Sequence, residues 1–369
     1  MSAASKIHKV IIFFMENHPT DTAAGEVAGG DGDLSLPPAP DVAVPDPPHD
    51  HAHWLTRDGP SPGGARRQRY SRATLPNLYK LMDAFTVCDR YFSDFAGNSF
   101  PNHAFAIGAD AEWTDRNPSA NFAISLKTPG VPARLVAAGK SWANYGNGFA
   151  FPHYQDPLMR DRPKSTFAAD AKAGTLPNVS WVYAPGGQDF HPGPRTKMSA
   201  SDTWLGNAVS ALSHGPDWPH VVAFITFDDD GGWSDHVVPP LLATFPNSKD
   251  QYRFGSRVPC VVVGPYAKAK HVSHVQSSHT SLVAFIERLF GLPPSPNPDA
   301  ARRPTSKTEQ ALADCVAVNQ KPRPPVSQAG GGGRRVTPKR LVPPRGARGG
   351  ADRRDPRPGG RPGLDTAGT

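Results

Sequence analysis

Short apolar runs separated by more polar segments dominate the first 290 or so residues of the chain. Val10–Met15, Val221–Phe227 and Val258–Val263 are nearly continuous hydrophobic runs. Such runs are typical of strands that are buried on both faces of a parallel sheet. Shorter runs at Val87–Phe92 and Val179–Tyr183 predict two further strands. The pattern therefore predicts several buried strands joined by longer connections.

Amphipathic segments lie between these runs. Thr74–Phe85 and Ser281–Phe290 place their apolar residues at helical spacing, and Trp204–Leu212 is predicted to be helical as well. A further helix is expected to close at Leu135–Lys140, before a short strand at Ser141–Tyr145. Because strands alternate with helices, the sequence predicts an α/β fold, as an α/β/α sandwich with a mostly parallel central sheet.

Charge is distributed unevenly along the 369 residues. Residues 320–369 contain 9 Pro, 11 Gly and 12 Lys or Arg against 3 Asp, a net charge of +9. The whole chain carries +7, so residues 1–319 carry −2. The basic character therefore belongs to the C-terminal region, which argues against a globally cationic nucleic-acid-binding domain.

The same composition predicts the domain organisation. We expect one folded domain over residues 5–295, with an irregular Pro-, Gly- and Asp-rich insertion at 27–69, a C-terminal extension at 296–317 and a disordered basic tail at 318–369. The tail has too few apolar residues to offset the entropy of ordering it. We weigh two interpretations of its charge, a solvated linker and a weak contact with polyanions such as nucleic acid or anionic lipid.

Several classes of protein are excluded by what the sequence lacks. Three cysteines without a CxxC motif argue against a disulfide scaffold and against a thiolate zinc site. The sequence contains no run of 18 apolar residues, so no transmembrane segment is predicted. Met1–Lys9 precedes the first apolar run without the features of a secretory signal, so the chain as written is expected to be cytoplasmic. Secretion is the alternative if the true start lies upstream.

The candidate chemistry lies where buried strands end. Glu16 and Asn17 follow the first apolar run, and Asp228 and Asp229 follow Val221–Phe227. The loop after Val87–Phe92 carries Ser99. Open α/β sheets bind ligands at the carboxyl ends of their strands. Carboxylates gathered there would repel one another unless a cation lay among them, so the pattern predicts a divalent metal ion with oxygen ligands. A serine oxygen on that metal could act as a nucleophile.

Each of these features alone has an ordinary structural interpretation. Asp228–Gly232 resembles a turn at a strand end, Ser99 could be a simple loop serine, and the histidines of the insertion, among them His49, could be solvated. The combination favours a functional site over these interpretations.

Five segments in a fixed order carry a more specific signal. They are Phe14–Asp21 (FMENHPTD), Gly97–Asn102 (GNSFPN), Phe227–Pro240 (FDDDGGWSDHVVPP), Arg257–Pro259 (RVP) and Ser278–Ser281 (SHTS). Together they resemble the phosphoesterase family that includes bacterial phosphatidylcholine-type phospholipases C and metal-dependent acid phosphatases, within the alkaline phosphatase superfamily. The resemblance runs from about Lys9 to Leu292 and implies an alkaline-phosphatase-like fold.

The resemblance also implies roles for individual residues. Ser99 would be the nucleophile and would contact the metal, while Glu16, Asn17, Asp228 and Asp229 would hold it. Three histidines match active-site histidines of the family; these are His191, His49 and His153. The implied activity is metal-dependent hydrolysis of phosphate esters, on a small phosphate ester or a phospholipid head group, with a histidine protonating the leaving group.

This sequence departs from the family pattern at two positions that bear on the site. Asp229 replaces the commoner glutamate, and His103 stands where arginine is common. Ser99, rather than the threonine of most of these phospholipases, favours a phosphomonoester substrate. The alternative outside enzymes is a catalytically inactive protein that binds phosphoanions or nucleic acid through the basic tail.

Overall fold

The computed structural model describes residues 6–57, 66–112, 114–119, 123–127, 129–146, 153, 160–194, 196–244, 251–295 and 312–326. A compact unit extends over Met1–Gly331. Across the described ranges, no helix is both long enough and apolar enough to cross a bilayer.

A central sheet of eight strands organises the described residues. The described residues form twelve strands, which in chain order are β1 Lys9–Met15, β2 Thr86–Cys88, β3 Tyr91–Phe92, β4 Trp142–Tyr145, β5 Asp161–Arg162, β6 Val179–Val182, β7 Val221–Phe227, β8 Leu241–Thr244, β9 Gln251–Arg253, β10 Cys260–Val263, β11 His271–Ser273 and β12 Ser277–Ser278. Of these, β3 with β12 and β8 with β9 form two small separate sheets. The central sheet has the order β11-β2-β10-β7-β1-β6-β4-β5. Among the described strands of this central sheet, only β10 runs antiparallel to its neighbours, so the prediction of a mostly parallel sheet is confirmed.

Helices cover both faces of the sheet. They are α1 Thr20–Ala23, α2 His51–Arg57, α3 Pro76–Ala84, α4 Ser99–Gly108, α5 Val131–Ala137, α6 Phe167–Ala173, α7 Met198–Ser213 and α8 His279–Phe290. Successive residues of β1 point to opposite faces. Phe13 packs against Phe167 of α6, whereas Phe14 packs against His103 of α4 and His279 of α8. The α/β/α sandwich is therefore confirmed.

The two strands at the centre explain the strongest sequence signal. In β1, only Lys9 is partly exposed, and every residue of β7 is buried. Strands covered on both faces need apolar side chains on both, which produces continuous rather than alternating hydrophobic runs. β1 lies between β6 and β7, and Met15 pairs with Phe227 at its end. The residues that follow these two strands are consequently neighbours in space.

Several local predictions need correction. The strand predicted at Val87–Phe92 is two short strands, because Asp89 and Arg90 form a turn between them. The insertion at 27–69 is not wholly irregular, since α2 lies within it. The supposed loop around Ser99 is the first turn of α4, and Ser99 is only 7% exposed.

The described C-terminal segment, residues 312–326, packs against the body. Val316 forms a bridge with Ala267, and the Gln320 amide donates to the backbone oxygen of Ala267 at 2.9 Å. Trp218 donates its indole N–H to the Arg323 carbonyl at 3.2 Å. The predicted tail boundary at 318 is thus too early, because residues 318–326 have backbone partners on the folded body. Residues 327–369 lie outside the described residues.

Candidate active site

The ends of β1 and β7 bring the predicted acidic residues together. The backbone N–H of Asp228 donates to the Met15 carbonyl at 2.9 Å, continuing the strand pairing by one residue. The backbone N–H of Asn17 donates to Oδ1 of Asp228 at 2.8 Å. Asn17 adopts a left-handed conformation with φ 59°, which asparagine tolerates better than most residues. The chain therefore turns sharply after β1 while Asn17 remains beside Asp228.

A glycine permits this close approach. Gly231 has φ 58°, and a Cβ atom built on it would lie 2.5 Å from Cβ of Asn17. Any side chain at position 231 would push the two segments apart. The same backbone donates its N–H to Oδ1 of Asp229 at 2.7 Å and so orients that carboxylate.

Ser99 lies directly opposite Asp229. Its hydroxyl donates to Oδ2 of Asp229 at 3.3 Å. Ser99 is the first residue of α4, where backbone N–H groups and the helix dipole favour negative charge. The start of α4 therefore favours negative charge at this hydroxyl, whereas the neighbouring carboxylates oppose it.

His103 lies between two of the acidic side chains. Its Nε2 is 3.6 Å from Oε1 of Glu16 and 3.6 Å from Oδ2 of Asp228. Burial lowers the pKa of His103, but these two carboxylates outweigh burial and raise the pKa to about 9. Sequence reasoning treated His103 only as a departure from the family pattern. Its spacing of four residues from Ser99 on one helix is the signal that could have placed it in the site.

His279 was also missed as a site residue. Its Nε2 donates to the backbone carbonyl of Asp228 at 2.8 Å, and its Nδ1 accepts from the Tyr91 hydroxyl at 3.1 Å. Burial lowers the pKa of His279, which agrees with a neutral ring that uses one nitrogen as donor and one as acceptor. The ring fixes the backbone at the end of β7.

The acidic residues fit a divalent cation. Oδ1 of Asn17 and Oδ2 of Asp228 are buried and have no hydrogen-bond partner among the described residues. Burial, followed by repulsion from Asp228, raises the pKa values of both Glu16 and Asp229. Donor atoms of Glu16, His103 and Asp228 lie within 4.8 Å of one another. Unpaired oxygens and repelling carboxylates are the donor set that hard divalent cations prefer.

The first predicted histidine, His49, reaches the cluster. Its Nδ1 is 2.7 Å from the Pro47 carbonyl and must donate to it, which leaves Nε2 to accept from the Asn17 amide at 3.3 Å. This contact fixes the amide orientation and leaves Oδ1 of Asn17 free of His49.

The other two predicted histidines differ in their positions. His191 lines the cavity beside Ser99, and Asp46, which sequence reasoning did not single out, lies 3.9 Å from His191 and 3.6 Å from His49. Burial lowers the pKa of His191, but Glu16 and further groups raise it overall. His153 contacts the ring of Phe100 and the backbone of residue 124 and is not among the cavity-lining residues. Its role stays a prediction.

The cavity in front of Ser99 has a volume of about 400 Å³. Its lining comprises Phe14, Glu16, Ser99, His103, Asn117, Gly146, Lys164, Tyr183, Ala184, Asp189 and His191. Ser99, Glu16 and two histidines, His103 and His191, thus face one space large enough for a small polar molecule.

A second acidic cluster lies close by but contains its own cation. The Arg257 guanidinium is fully buried and donates to both oxygens of Asp235, at 2.8 and 3.1 Å. It also donates to Asp21 at 3.3 Å, while His236 contacts Asp21 at 2.9 Å. Because Arg257 already compensates these carboxylates, this cluster joins the two motifs structurally and is not a candidate metal centre.

Comparisons with known proteins agree with the residue patterns. The model of the phosphoesterase family matches residues 50–293. Phospholipase C B of Mycobacterium tuberculosis is 30% identical over 278 residues, which cover 61% of this chain and 52% of that protein. Non-hemolytic phospholipase C of Pseudomonas aeruginosa is 25% identical over 281 residues, covering 60% and 40%. The chain spans about half the length, or less, of these curated relatives.

The matched solved structures include human ectonucleotide pyrophosphatase/phosphodiesterase 5, with a TM-score of 0.47, 10% identity, and coverage of 84% of this chain and 99% of that one. The 2-O GAG sulfatase BT1596 has a TM-score of 0.47 and 10% identity, with coverage of 80% and 72%. The family model matches well over half of this chain and includes Ser99, His191, Asp228 and Asp229, while Glu16 and Asn17 precede the matched range. The chain therefore belongs to the phosphoesterase family.

Proposed function

We propose that this protein hydrolyses phosphate esters, with Ser99 as the nucleophile and a divalent cation held by Glu16, Asn17, Asp228 and Asp229. One observation carries the proposal: Oδ1 of Asn17 and Oδ2 of Asp228 are buried and accept no hydrogen bond from a described residue. They belong to a cluster of three carboxylates that His103 compensates only in part and that also accepts the Ser99 hydroxyl. A serine beside an incompletely compensated anionic cluster is suited to a reaction at an electrophilic centre bound there.

The roles of the residues follow from their contacts. Asp229 accepts the Ser99 hydrogen bond through Oδ2 and is therefore positioned to take the hydroxyl proton as Oγ attacks phosphorus. A bound divalent cation would stabilise negative charge developing on the phosphoryl oxygens and make the serine hydroxyl more acidic. The N-terminus of α4 stabilises negative charge at the same place.

The leaving group needs a proton donor from the cavity wall. His191 lines the cavity, and its raised pKa keeps a larger fraction protonated near neutral pH. As the bond from Ser99 Oγ to phosphorus forms, the ester P–O bond breaks, and the alcohol oxygen takes its proton from His191. Water then gives a proton to the neutral His191 and attacks the phosphoserine phosphorus. The bond from Ser99 Oγ to phosphorus breaks, Oγ takes its proton back from Asp229, and phosphate is released, or a phosphate monoester when the substrate is a diester.

Two observations narrow the expected substrate to particular kinds of phosphate ester. Serine at position 99 favours a phosphomonoester, while the similarity to proteins named phospholipase C supports a phospholipid head group as the alternative. Both fit within a cavity of about 400 Å³ as far as the phosphoryl group and a small alcohol are concerned.

The deciding experiment measures release of p-nitrophenol from p-nitrophenyl phosphate and bis(p-nitrophenyl) phosphate by the full chain. We expect turnover of one or both, loss of turnover with a chelator, and recovery when a divalent ion is added back. The Ser99→Ala protein should be inactive in every condition. Turnover that survives both the chelator and Ser99→Ala would refute the proposal.

A further inference from the structure

One charged side chain of the cavity has no part in the reaction described above. Lys164 lies in a short 3-10 turn, Lys164–Thr166, and is half-buried where it lines the cavity beside Ser99. Its ammonium donates to the Ala184 carbonyl at 2.9 Å. An ammonium has three donors, so this contact leaves two for a molecule in the cavity.

The lysine stem has a preformed path to this position. Gly146 follows β4 with φ 98°, and a Cβ atom built on it would lie 2.1–2.7 Å from the Cγ, Cδ and Cε atoms of Lys164. The Gly146 N–H donates to the Arg162 carbonyl at 2.8 Å, which ties the two segments together. Glycine at 146 leaves room for the stem, and the hydrogen bond to the Ala184 carbonyl anchors the ammonium.

No carboxylate neutralises this ammonium at close range. In the described ranges, no ion pair within 4.0 Å includes Lys164, whereas the neighbouring Arg162 pairs with Asp170 at 2.6 Å. Asp189 lines the same cavity and attracts Lys164 at longer range, but its Oδ1 accepts the His191 backbone N–H at 3.2 Å. The cavity wall therefore presents an ammonium that has no carboxylate within ion-pair distance among the described residues.

The aromatic side chains of the cavity bear on which charged groups it can bind. Phe14 and Tyr183 both line it, but Phe14 is 1% exposed and Tyr183 stacks on His103, so their rings offer little open face to a quaternary ammonium group. A fixed ammonium in the same small cavity repels such a group, and it attracts a carboxylate or a phosphate. The charge at Lys164 thus discriminates between alcohols of opposite charge.

We propose that Lys164 is a specificity-determining residue that selects phosphate esters whose alcohol portion carries a negative group, such as a carboxylate or second phosphate, and that disfavours cationic alcohols such as choline or ethanolamine. This inference rests on the proposed function, since it names the substrate class of that same site. Lys164 contacts the alcohol portion and takes no part in breaking the bond.

The test is a charge series of substrates of similar size. The alcohol portion is negative in phosphoglycolate, neutral in glycerol 3-phosphate and positive in phosphoethanolamine. The rate of phosphate release gives kcat/KM for each substrate. If only the diester reporter is turned over, the p-nitrophenyl diesters of the same alcohols replace them. We expect wild type to prefer phosphoglycolate over phosphoethanolamine by at least about tenfold.

Variants assign this preference to the lysine. Lys164→Gln keeps a donor for Ala184 and should reduce the ratio at least about tenfold, chiefly through KM for phosphoglycolate. Lys164→Glu should reverse the preference, and Lys164→Arg should retain it. Gly146→Ala should displace the stem and lower the ratio with position 164 unchanged. The control is Lys172→Glu, which makes the same charge change at an exposed site in a neighbouring groove outside the cavity; its ratio should match wild type.

The outcomes separate the two proposals. Turnover of a p-nitrophenyl reporter combined with a flat charge series, or with a ratio that Lys164→Gln leaves unchanged, overturns the role of Lys164 and leaves the proposed function standing. If Lys172→Glu changes the ratio as much as Lys164→Glu does, the preference reflects the general electrostatic field of the protein. That result would also overturn the proposed role of Lys164. Absence of turnover on either reporter refutes the proposed function and, with it, this inference.

Discussion

Two acidic clusters join the same two sequence motifs, and they differ in how their charge is compensated. In one, Asp21 and Asp235 surround the buried guanidinium of Arg257, which donates to both. In the other, His103 lies 3.6 Å from both Glu16 and Asp228 and compensates only part of the charge of three carboxylates, since Asp229 is the third. A buried charge without compensation is costly. The first cluster is therefore complete as folded, whereas the second has the properties of a site that needs a ligand.

The largest expected effect is on catalysis at the incomplete cluster. Ser99→Ala should lower kcat by about 10³-fold or more, because the nucleophile is removed. Ser99→Thr should keep measurable activity, since it retains a hydroxyl. Ser180→Ala, at a buried serine of β6 outside the cavity, is the control and should keep wild-type kcat. Steady-state kinetics on the better p-nitrophenyl ester decide this; near-normal turnover by Ser99→Ala would exclude the assigned nucleophile.

The complete cluster should instead respond through stability. Arg257→Met leaves Asp21 and Asp235 buried without their cation and should lower the free energy of unfolding by about 3–5 kcal/mol. The control, Arg116→Met, breaks an ion pair with Asp115 on an exposed surface and should have little effect. Urea unfolding measures both. Equal stability of the two variants would mean that Arg257 does not hold the first cluster together.

A truncation remote from both clusters separates stability from chemistry. Ending the chain after residue 311 removes the buried side chains of Leu312 and Cys315 and should lower the free energy of unfolding by about 2–4 kcal/mol. Ending it after residue 326 keeps these contacts and should leave stability and turnover unchanged. Thermal and urea unfolding of the two truncations test this; destabilisation by the shorter deletion would place the body's boundary beyond 326.

The smallest expected effect is on the free energy of unfolding, which should change in opposite directions when one carboxylate is neutralised in each cluster. In chelator, Asp229→Asn removes a buried charge repelled by Asp228 and should leave stability unchanged or raise it by about 1 kcal/mol. Asp235→Asn, the matched change in the complete cluster, should destabilise because Arg257 loses its main acceptor. Unfolding of both proteins in chelator is the measurement. Equal destabilisation would show that the two clusters do not differ in the way described.

The sequence predicts those parts of the molecule whose burial is extreme. β7 has the bounds of its hydrophobic run, and β1 differs by one residue, because strands covered on both faces leave an unambiguous apolar pattern. The start of α4 was missed because Ser99-Phe100-Pro101-Asn102 has the composition of a turn. Proline is nonetheless tolerated in a first helical turn, where its missing N–H has no intrahelical partner.

The site was predictable only in part, for a related reason. Glu16, Asn17, Asp228 and Asp229 follow buried parallel strands, so the rule for strand ends places them together. The positions of Asp46 and His49 depend on the path of the long insertion, and no local pattern fixes how such a segment folds back on the sheet. Lys164 likewise enters the cavity only because Gly146, 18 residues earlier, leaves room for its stem.

Calorimetric titration of a divalent ion into the metal-free protein tests the central claim most directly. Wild type should bind one ion, and Asp228→Asn should bind it at least about tenfold more weakly, since a charged oxygen ligand is lost. His236→Gln alters the cluster that already contains Arg257 and should bind as wild type does. Equal affinities of wild type and Asp228→Asn, or a loss of binding confined to His236→Gln, would contradict the account.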